Sequence, residues 1–442
     1  MEKKLNVFDL TSIGVGTIIG AGVFSMLGYG IAYTGRGIVL ALFLAMALVI
    51  LQSIRYPILA NVFELDGGMY ALDALTCPRV CAGFTAANDV FFKLGTQSVT
   101  VIAFAMYLEI LFPALVPYRK AVAVLVLTAT YACVIAGTKF AARVQNVMCV
   151  CMYAALGLFV VYGLMNYNPA AYAGEPMLIN GVSGLMMAAA LMSYTCNGFQ
   201  YVISMGKAAK NPKRDLPLAF FLAALIAVSL YAIIGFAATH VYSYGEIAGL
   251  GLGDIAKRMM PDGLYMFFLV GGALFALGTS LVGGSAASYQ PLMASAQDGW
   301  LPAILGKRSK KRGIPYALGF LYVAGVIPVV LGIDLNDMVT MQLVPLGTVI
   351  MIGSCFTMNV PSRFEKEWRE SGIRVTPALY KFLNGLSILA SAVLVTYCFL
   401  SNGYKVVTLL ITAGLLLYGW LRNRFGHIEI QSQKEYAAEK ES

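Results

Sequence analysis

The stretch Gly14-Val15-Gly16-Thr17-Ile18-Ile19-Gly20-Ala21-Gly22-Val23-Phe24 places four glycines within eleven residues. It lies in an uncharged run, Leu10 to Gly35, that is long enough to cross a bilayer as a helix. A helix in lipid must satisfy its own backbone hydrogen bonds, and glycine weakens a helix. We therefore predict that this first span breaks in its middle and exposes backbone N–H and C=O groups there. The alternative is close helix packing through Gly16 and Gly20.

The composition of the chain is typical of an integral membrane protein. Of its 442 residues, 59% are hydrophobic and 12% are charged, whereas soluble domains have about 45–50% apolar and about 25% charged residues. The net charge of +9 comes from Lys and Arg that cluster at the ends of apolar runs, which indicates membrane topology rather than nucleic acid binding. Two histidines and eight scattered cysteines form no metal-ligand or catalytic spacing. We therefore expect no cofactor, no metal and no enzymatic activity.

The uncharged stretches predict a single all-α membrane domain, residues 1–442, with twelve transmembrane helices. The spans are predicted at about 8–33, 37–62, 83–112, 120–137, 143–165, 180–206, 217–242, 263–297, 315–333, 338–360, 376–400 and 404–421. The distribution of Lys and Arg predicts that both termini, including the tail 422–442, are cytoplasmic and that the protein lies in the plasma (inner) membrane. The segment 245–261 is expected to be an external loop with a short helix.

A second interruption is predicted in the sixth span. Residues 193–200, Ser-Tyr-Thr-Cys-Asn-Gly-Phe-Gln, form a polar island in a run without charge from Glu175 to Lys207. The alternative is hydrogen bonding of these side chains to a neighbouring helix. Because transporters with inverted repeats carry broken helices at corresponding positions, we predict two five-helix repeats, about 8–165 and 180–360, followed by helices 11 and 12 at about 376–421.

Several motifs in the same order resemble those of the amino acid–polyamine–organocation (APC) superfamily of permeases. They are the glycine run of residues 16–24, Gly67-Gly68-Met69-Tyr70, Gly137 with Ala142–Asn146, Lys210–Pro217, and Asp298-Gly299-Trp300-Leu301-Pro302. The resemblance implies a LeuT-like fold with discontinuous helices 1 and 6, alternating access, and amino acid or amine substrates.

The resemblance also implies a substrate site made largely of backbone. Its carboxylate-binding groups fall at Ile18, Gly20, Ala21 and Gly22, and its ammonium-binding carbonyls at Ile18, Tyr194 and Asn197. Gly198 takes the flexible position of helix 6, and Tyr194 the aromatic position that closes over substrate. Other residues expected near the pocket are small or polar and uncharged, and they favour neutral amino acids: Thr195, Cys196, Ser285 and Gln342.

The coupling ion is left open by departures from the family pattern. Met152 stands where many relatives have a Lys, and the positions aligned with sodium-binding hydroxyls are Gly283 and Gly284, so sodium is disfavoured. Ser285 and Ser288 lie close to these glycines.

The charged residues Asp89 and Lys93 are spaced i,i+4 within the third span. They are a candidate site for a coupling proton, or they neutralise one another. Arg55 and Glu109 are expected near the two membrane interfaces.

The sequence therefore predicts a secondary carrier that moves neutral amino acids by exchange or proton symport, with the lipid bilayer as its surroundings. An amine or polyamine permease on the same fold is the first alternative, and Asp89 is its only obvious acidic residue. A channel is less favoured, because two broken helices fit alternating access better than an open pore. An intramembrane enzyme would need clustered catalytic groups.

Overall fold

A computed structural model of the chain describes residues 5–63, 68–136, 138–204, 209–310, 313–371, 374–431 and 433. The α-helices in chain order are α1 (Val7–Ile18), α2 (Ala21–Thr34), α3 (Ile38–Ser53), α4 (Arg55–Val62), α5 (Gly68–Thr76), α6 (Arg79–Leu111), α7 (Arg119–Ala136), α8 (Thr138–Met165), α9 (Gly181–Cys196) and α10 (Pro212–Thr239). They continue with α11 (Tyr244–Ile247), α12 (Leu252–Met259), α13 (Asp262–Phe267), α14 (Phe275–Gln297), α15 (Tyr316–Leu331), α16 (Leu335–Thr357), α17 (Val360–Arg363), α18 (Glu365–Glu370), α19 (Pro377–Ser401) and α20 (Lys405–Phe425).

The protein is an all-helical, multi-pass membrane protein. In the described ranges, nine helical stretches are long and apolar enough to cross a membrane: Gly22–Val62, Arg79–Leu111, Pro113–Ile135, Val147–Met165, Pro212–Thr239, Asp262–Ser285, Leu335–Thr357, Pro377–Ser401 and Lys405–Phe425. Three apolar helices are shorter, namely α1, α9 and α15. The first long stretch includes α2, α3 and α4, and a 3₁₀ turn at Gly35–Gly37 separates α2 from α3.

The first interruption lies in the glycine run. Helix α1 begins with a capping box, in which the Asn6 side chain accepts from the Asp9 N–H and the Asp9 side chain accepts from the Asn6 N–H. The helix ends at Ile18, Ile19 is extended, and α2 begins at Ala21. The helical hydrogen-bond ladder therefore stops between Ile19 and Ala21.

The second interruption follows α9. Helix α9 ends at Cys196, Asn197 is extended with φ −76° and ψ 152°, and a 3₁₀ turn continues over Phe199–Ser204. Between them, Gly198 has φ +134°, a conformation that side chains with a Cβ rarely adopt. The chain can change direction here because residue 198 is glycine.

A π-helical segment, Phe268–Leu274, joins α13 to α14 within one long helix. It packs against α8, since a Cβ added at Gly272 would lie 3.0 Å from Ala155 Cβ. A π segment has more residues per turn than an α-helix, so it changes which residues of the following helix face a neighbour.

The first and the last described residues lie at the same end of the helical bundle, which we call the terminal side. Leu5 pairs with Ala209 in an isolated bridge, and the Asn61 side chain donates to the Lys213 carbonyl. The tail reaches the same region, where the Glu429 N–H donates to the Asp298 carbonyl over 3.0 Å.

Arg55 lies near the end of the helical stretch Gly22–Val62, and its side chain is fully enclosed by protein. Its Nη2 lies 2.9 Å from Asp73 Oδ1, and the two side chains are 0% and 1% exposed. The Arg55 guanidinium also donates to the Tyr56 hydroxyl at 2.6 Å. The physical reason is that α5 folds back against α4 and supplies the counter-charge.

Candidate functional site

The two helix interruptions contact each other. The Thr17 hydroxyl donates to the Gly198 carbonyl at 3.1 Å and to the Gly14 carbonyl at 2.8 Å. A Cβ added at Gly198 would lie 2.6 Å from the Thr17 carbonyl oxygen, closer than carbon and oxygen can approach. The end of α1 and the turn after α9 are therefore in direct backbone contact.

The start of α2 packs with equal closeness on the end of α9. A Cβ added at Gly22 would lie 2.8 Å from Thr195 Cα and 3.0 Å from Thr195 Oγ1. The Thr195 hydroxyl is buried and has no hydrogen-bond partner among the described residues. It is thus a polar atom available to a ligand at the junction of these helices.

Backbone groups at the interruptions have unused hydrogen-bonding capacity. The first N–H groups of a helix have no partner within that helix, and for α2 these are the groups from Ala21 onwards. The Ile18 carbonyl accepts from the Tyr231 hydroxyl at 2.8 Å, and the Tyr194 carbonyl accepts from the Asn197 N–H at 3.2 Å. A carbonyl oxygen has two lone pairs, so the Ile18 carbonyl can accept from a ligand as well as from Tyr231.

Gln200 stabilises the second interruption, a role that the sequence analysis missed. Its Oε1 accepts from the Gly198 N–H at 2.8 Å, and its Nε2 donates to Asn197 Oδ1 at 2.9 Å and to Ser53 Oγ at 3.2 Å. The Asn197 side chain in turn donates to the Ser193 carbonyl at 2.7 Å. The polar island 193–200 therefore replaces helical hydrogen bonds with side-chain ones.

Ser280 is the hydroxyl of α14 that lies next to the first interruption. A Cβ added at Gly20 would overlap Ser280 Oγ and would lie 3.8 Å from the Ala276 carbonyl oxygen, to which the Thr279 hydroxyl donates at 2.8 Å. The alignment on Gly283 missed this pair of hydroxyl residues. The signal was the Thr279-Ser280 dipeptide in an uncharged helix.

Of the two serines expected near the coupling site, Ser285 has a described side chain. Ser285 is buried without a hydrogen-bond partner among the described residues. It follows Ser280 by five residues, so its side chain points ~140° away from that of Ser280 around the helix. The side chain of Ser288 lies outside the described residues.

Met152 faces the helix that carries Ser280. In α8, Met148 lies against Gly278 and Ala155 against Gly272, and Met152 stands between these two residues on the same helical face. Its side chain is fully buried. A thioether is apolar and uncharged, so this position supplies no ammonium group to the interruption.

Asp89 and Lys93 lie in the part of α6 near the terminal side. Asp89 is half-buried and Lys93 is buried. One turn before Asp89, the Thr85 hydroxyl donates to Asp73 Oδ2 at 3.1 Å, which places Asp89 next to the Arg55–Asp73 ion pair along the helix.

A cavity of about 360 Å³ opens on the opposite side of the bundle, beyond Phe24. The Tyr107 hydroxyl beside it donates to the Phe24 carbonyl at 3.0 Å and accepts from the Gly253 N–H at 3.3 Å. Glu109, expected near an interface, is buried in the wall of this cavity, where Arg119 Nε donates to its Oε1 at 2.7 Å. The ring of Tyr107 packs edge-on against that of Phe24.

Comparison with known proteins gives the family. The family described as "Amino acid permease" matches residues 5–421. The chain is similar to the branched-chain amino acid permease BcaP of Bacillus subtilis (strain 168), with 23% identity over 79% of this chain and 78% of that protein. It is also similar to the methylthioribose transporter of the same strain, with 23% identity over 86% of both chains.

A plant relative covers a similar share of the chain. The cationic amino acid transporter 4, vacuolar, of Arabidopsis thaliana is 24% identical over 79% of this chain and 61% of that protein. The names of these three relatives all describe transport and differ in substrate. The chain belongs to the amino acid permease family, which is part of the APC superfamily. This is a family of transporters and not of enzymes.

Proposed function

We propose that this protein is a secondary active transporter that moves neutral amino acids by alternating access, through exchange or proton symport. The observation that carries the proposal is the contact between the two interrupted helices, where Thr17 donates to the Gly198 carbonyl. Interrupted helices offer backbone donors and acceptors inside a membrane, and a zwitterion needs both.

The substrate would be held at both of its charged ends. Its carboxylate would accept hydrogen bonds from the N–H groups of Gly20, Ala21 and Gly22 at the start of α2, where the helix dipole favours negative charge. Its ammonium would donate to the carbonyls of Ile18, Tyr194 and Asn197. In this proposal Gly198 is the flexible point, and the Tyr194 ring excludes water when it closes over the substrate.

A neutral substrate is supported by the uncharged side chains expected at the pocket. Thr195 and Gln342 are buried and polar, Cys196 is buried, and an unpaired charge on a substrate would find no counter-charge among them. The names of relatives include branched-chain amino acids, cationic amino acids and methylthioribose. An amine or polyamine substrate on the same fold is the alternative outcome of the transport experiment.

Twelve spans in two inverted repeats and a LeuT-like fold remain part of the proposal, with residues 1–442 forming one domain. Support comes from the shorter apolar helices α9 and α15 and from the turn that divides Gly22–Val62. We infer that the terminal side is cytoplasmic, since the basic residues Lys213 and Arg363 lie there. The membrane would then be the plasma (inner) membrane.

The coupling ion in this proposal is a proton rather than sodium. Asp89 is an ionisable group within α6, and a carboxylate next to a buried Lys93 can exchange a proton when its surroundings change. Met152 supplies no charge at the interruption. Ser285 and Ser288 are left as weaker candidates.

The test is uptake into proteoliposomes that contain the full chain. Vesicles are preloaded with one unlabelled amino acid, and uptake of radiolabelled L-leucine, L-lysine or putrescine is measured with and without proton or sodium gradients. We expect leucine uptake that depends on an internal neutral amino acid or on a proton gradient. Uptake of putrescine without leucine would support the amine alternative. Uptake of lysine without leucine would contradict a neutral substrate, and passive flux of all three would indicate a channel.

A further inference from the structure

Asp298, at the end of α14, joins three separate parts of the chain on the terminal side. Its Oδ2 accepts from the Tyr70 hydroxyl of α5 at 2.6 Å. Its Oδ1 accepts from the Gln431 N–H at 3.1 Å, and its carbonyl accepts from the Glu429 N–H at 3.0 Å. A carboxylate that is 4% exposed thus receives donors from α5 and from the tail.

The tail residues that reach Asp298 are themselves packed into the protein. Ile428 and Ile430 are buried in a cluster with Tyr70 and Trp300, and the Gln433 side chain donates to the Ala74 carbonyl of α5 at 2.7 Å. The segment 426–431 is therefore a structural strap across the end of α14 and α5, although its composition reads as a polar tail.

The Asp298 cluster is connected to both helix interruptions. Helix α14 carries Ser280, which lies against Gly20. Helix α5 contacts the 3₁₀ turn Phe199–Ser204, which follows Gly198 directly. Any movement of that turn away from α14 must therefore either carry α5 with it and break the bond between Tyr70 and Asp298, or separate α5 from the turn.

We propose that Asp298 is a positioning residue for transport, which through Tyr70 and the strap 426–431 holds the terminal side closed while the substrate site faces the opposite side. This rests on the proposed alternating-access function. Hydrogen bonds to a carboxylate are stronger than those between neutral groups, so the contact from Tyr70 favours one of the two conformations. Opening of the terminal side breaks it.

The first test needs no substrate. Hydrogen–deuterium exchange is measured on the purified full chain and on its Tyr70→Phe and Asp298→Asn variants. We expect amide exchange to accelerate by about ten-fold in three segments together, 68–76, 199–204 and 426–431, while exchange in the other helices stays unchanged. Tyr316→Phe, which alters an exposed tyrosine at the start of α15, should change none of them.

The second test separates a positioning role from a structural one. In Tyr70→Phe the KM for L-leucine presented at the side opposite the termini should rise about ten-fold, because fewer molecules face that side, and the same KM at the terminal side should not rise. Combining Tyr70→Phe with Asp298→Asn should add little to either single change.

The proposal is overturned if exchange accelerates only in 68–76, or if it accelerates throughout the chain with a lower melting temperature. Equal changes of KM at the two sides would overturn it as well. A wild-type protein that does not carry L-leucine would reject the proposed neutral substrate, while the exchange measurement would still decide the role of Asp298.

Discussion

The Thr17 hydroxyl and the Gly198 carbonyl, 3.1 Å apart, connect two helix interruptions that lie 181 residues apart in the chain. Removing this donor with Thr17→Val should lower L-leucine uptake and cost about 0.5–1.5 kcal/mol of unfolding free energy, the usual net value of one hydrogen bond. Thr17→Ser keeps the hydroxyl and is the matched control. Equal uptake by the valine and serine variants would contradict a functional role for this contact.

The glycines at the start of α2 should not tolerate a side chain. In Gly22→Val the new Cβ would lie 2.8 Å from Thr195 Cα, and in Gly20→Val it would overlap Ser280 Oγ. We expect both variants to insert into the membrane and to lose substrate binding, as measured by scintillation proximity with labelled L-leucine. Gly16→Ala is the control, since no atom lies within 4 Å of its added Cβ. Normal transport by both valine variants would reject the site.

Asp89→Asn tests proton coupling. The variant keeps the size of the side chain and removes its titratable group, so accumulation driven by a proton gradient should be lost while exchange of internal for external substrate continues. The control is Asp262→Asn, which alters an exposed carboxyl group at the start of α13. Unchanged proton-driven accumulation in Asp89→Asn would leave Asp89 and Lys93 with a purely structural role.

The enclosed ion pair of Arg55 and Asp73 should be costly to break. Arg55→Ala leaves a buried carboxylate without its counter-charge, and we expect a loss of about 3–5 kcal/mol in unfolding free energy, measured by chemical denaturation in detergent. Lys366→Ala, which removes a pair with Glu370 between largely exposed side chains, should cost about 0–1 kcal/mol. Similar losses for the two variants would show that the pair is not enclosed as described.

Tyr107→Phe should loosen the side opposite the termini. When the Tyr107 hydroxyl is removed, the Phe24 carbonyl loses a donor and the Gly253 N–H loses an acceptor. Hydrogen exchange should accelerate at the N-terminal end of α12, around Gly253, while Tyr118→Phe, in a largely exposed residue, serves as the control. Unchanged exchange at Gly253 would argue against this link.

Uncharged stretches and glycine content predicted much of the framework but not its contacts. The glycine run and the island 193–200 were recognisable because polar or flexible residues are costly inside an apolar helix. Their mutual contact through Thr17 and Gly198 depends on tertiary packing. A linear pattern carries no information about it.

Two residues show why the site was only partly predictable. Aligning Gln290-Pro291 with the family pattern leads to Gly283 and Gly284, whereas the hydroxyl beside Gly20 belongs to Ser280. Such an alignment assumes that residues at matching positions face the same neighbouring helix. The π segment that precedes α14 changes which residues of α14 face a neighbour. The enclosure of Arg55 was not predictable from its own span, because its partner Asp73 lies in another helix.

The enclosure of Arg55 also limits what evolution can do at a distant position. A Cβ at Gly353 of α16 would lie 2.5 to 2.9 Å from atoms of the Arg55 guanidinium. A side chain at residue 353 would therefore have to push the guanidinium away from Asp73. Among descendants of this sequence, substitutions at positions 353 and 55 are expected to be coupled, because one guanidinium fills the space between them.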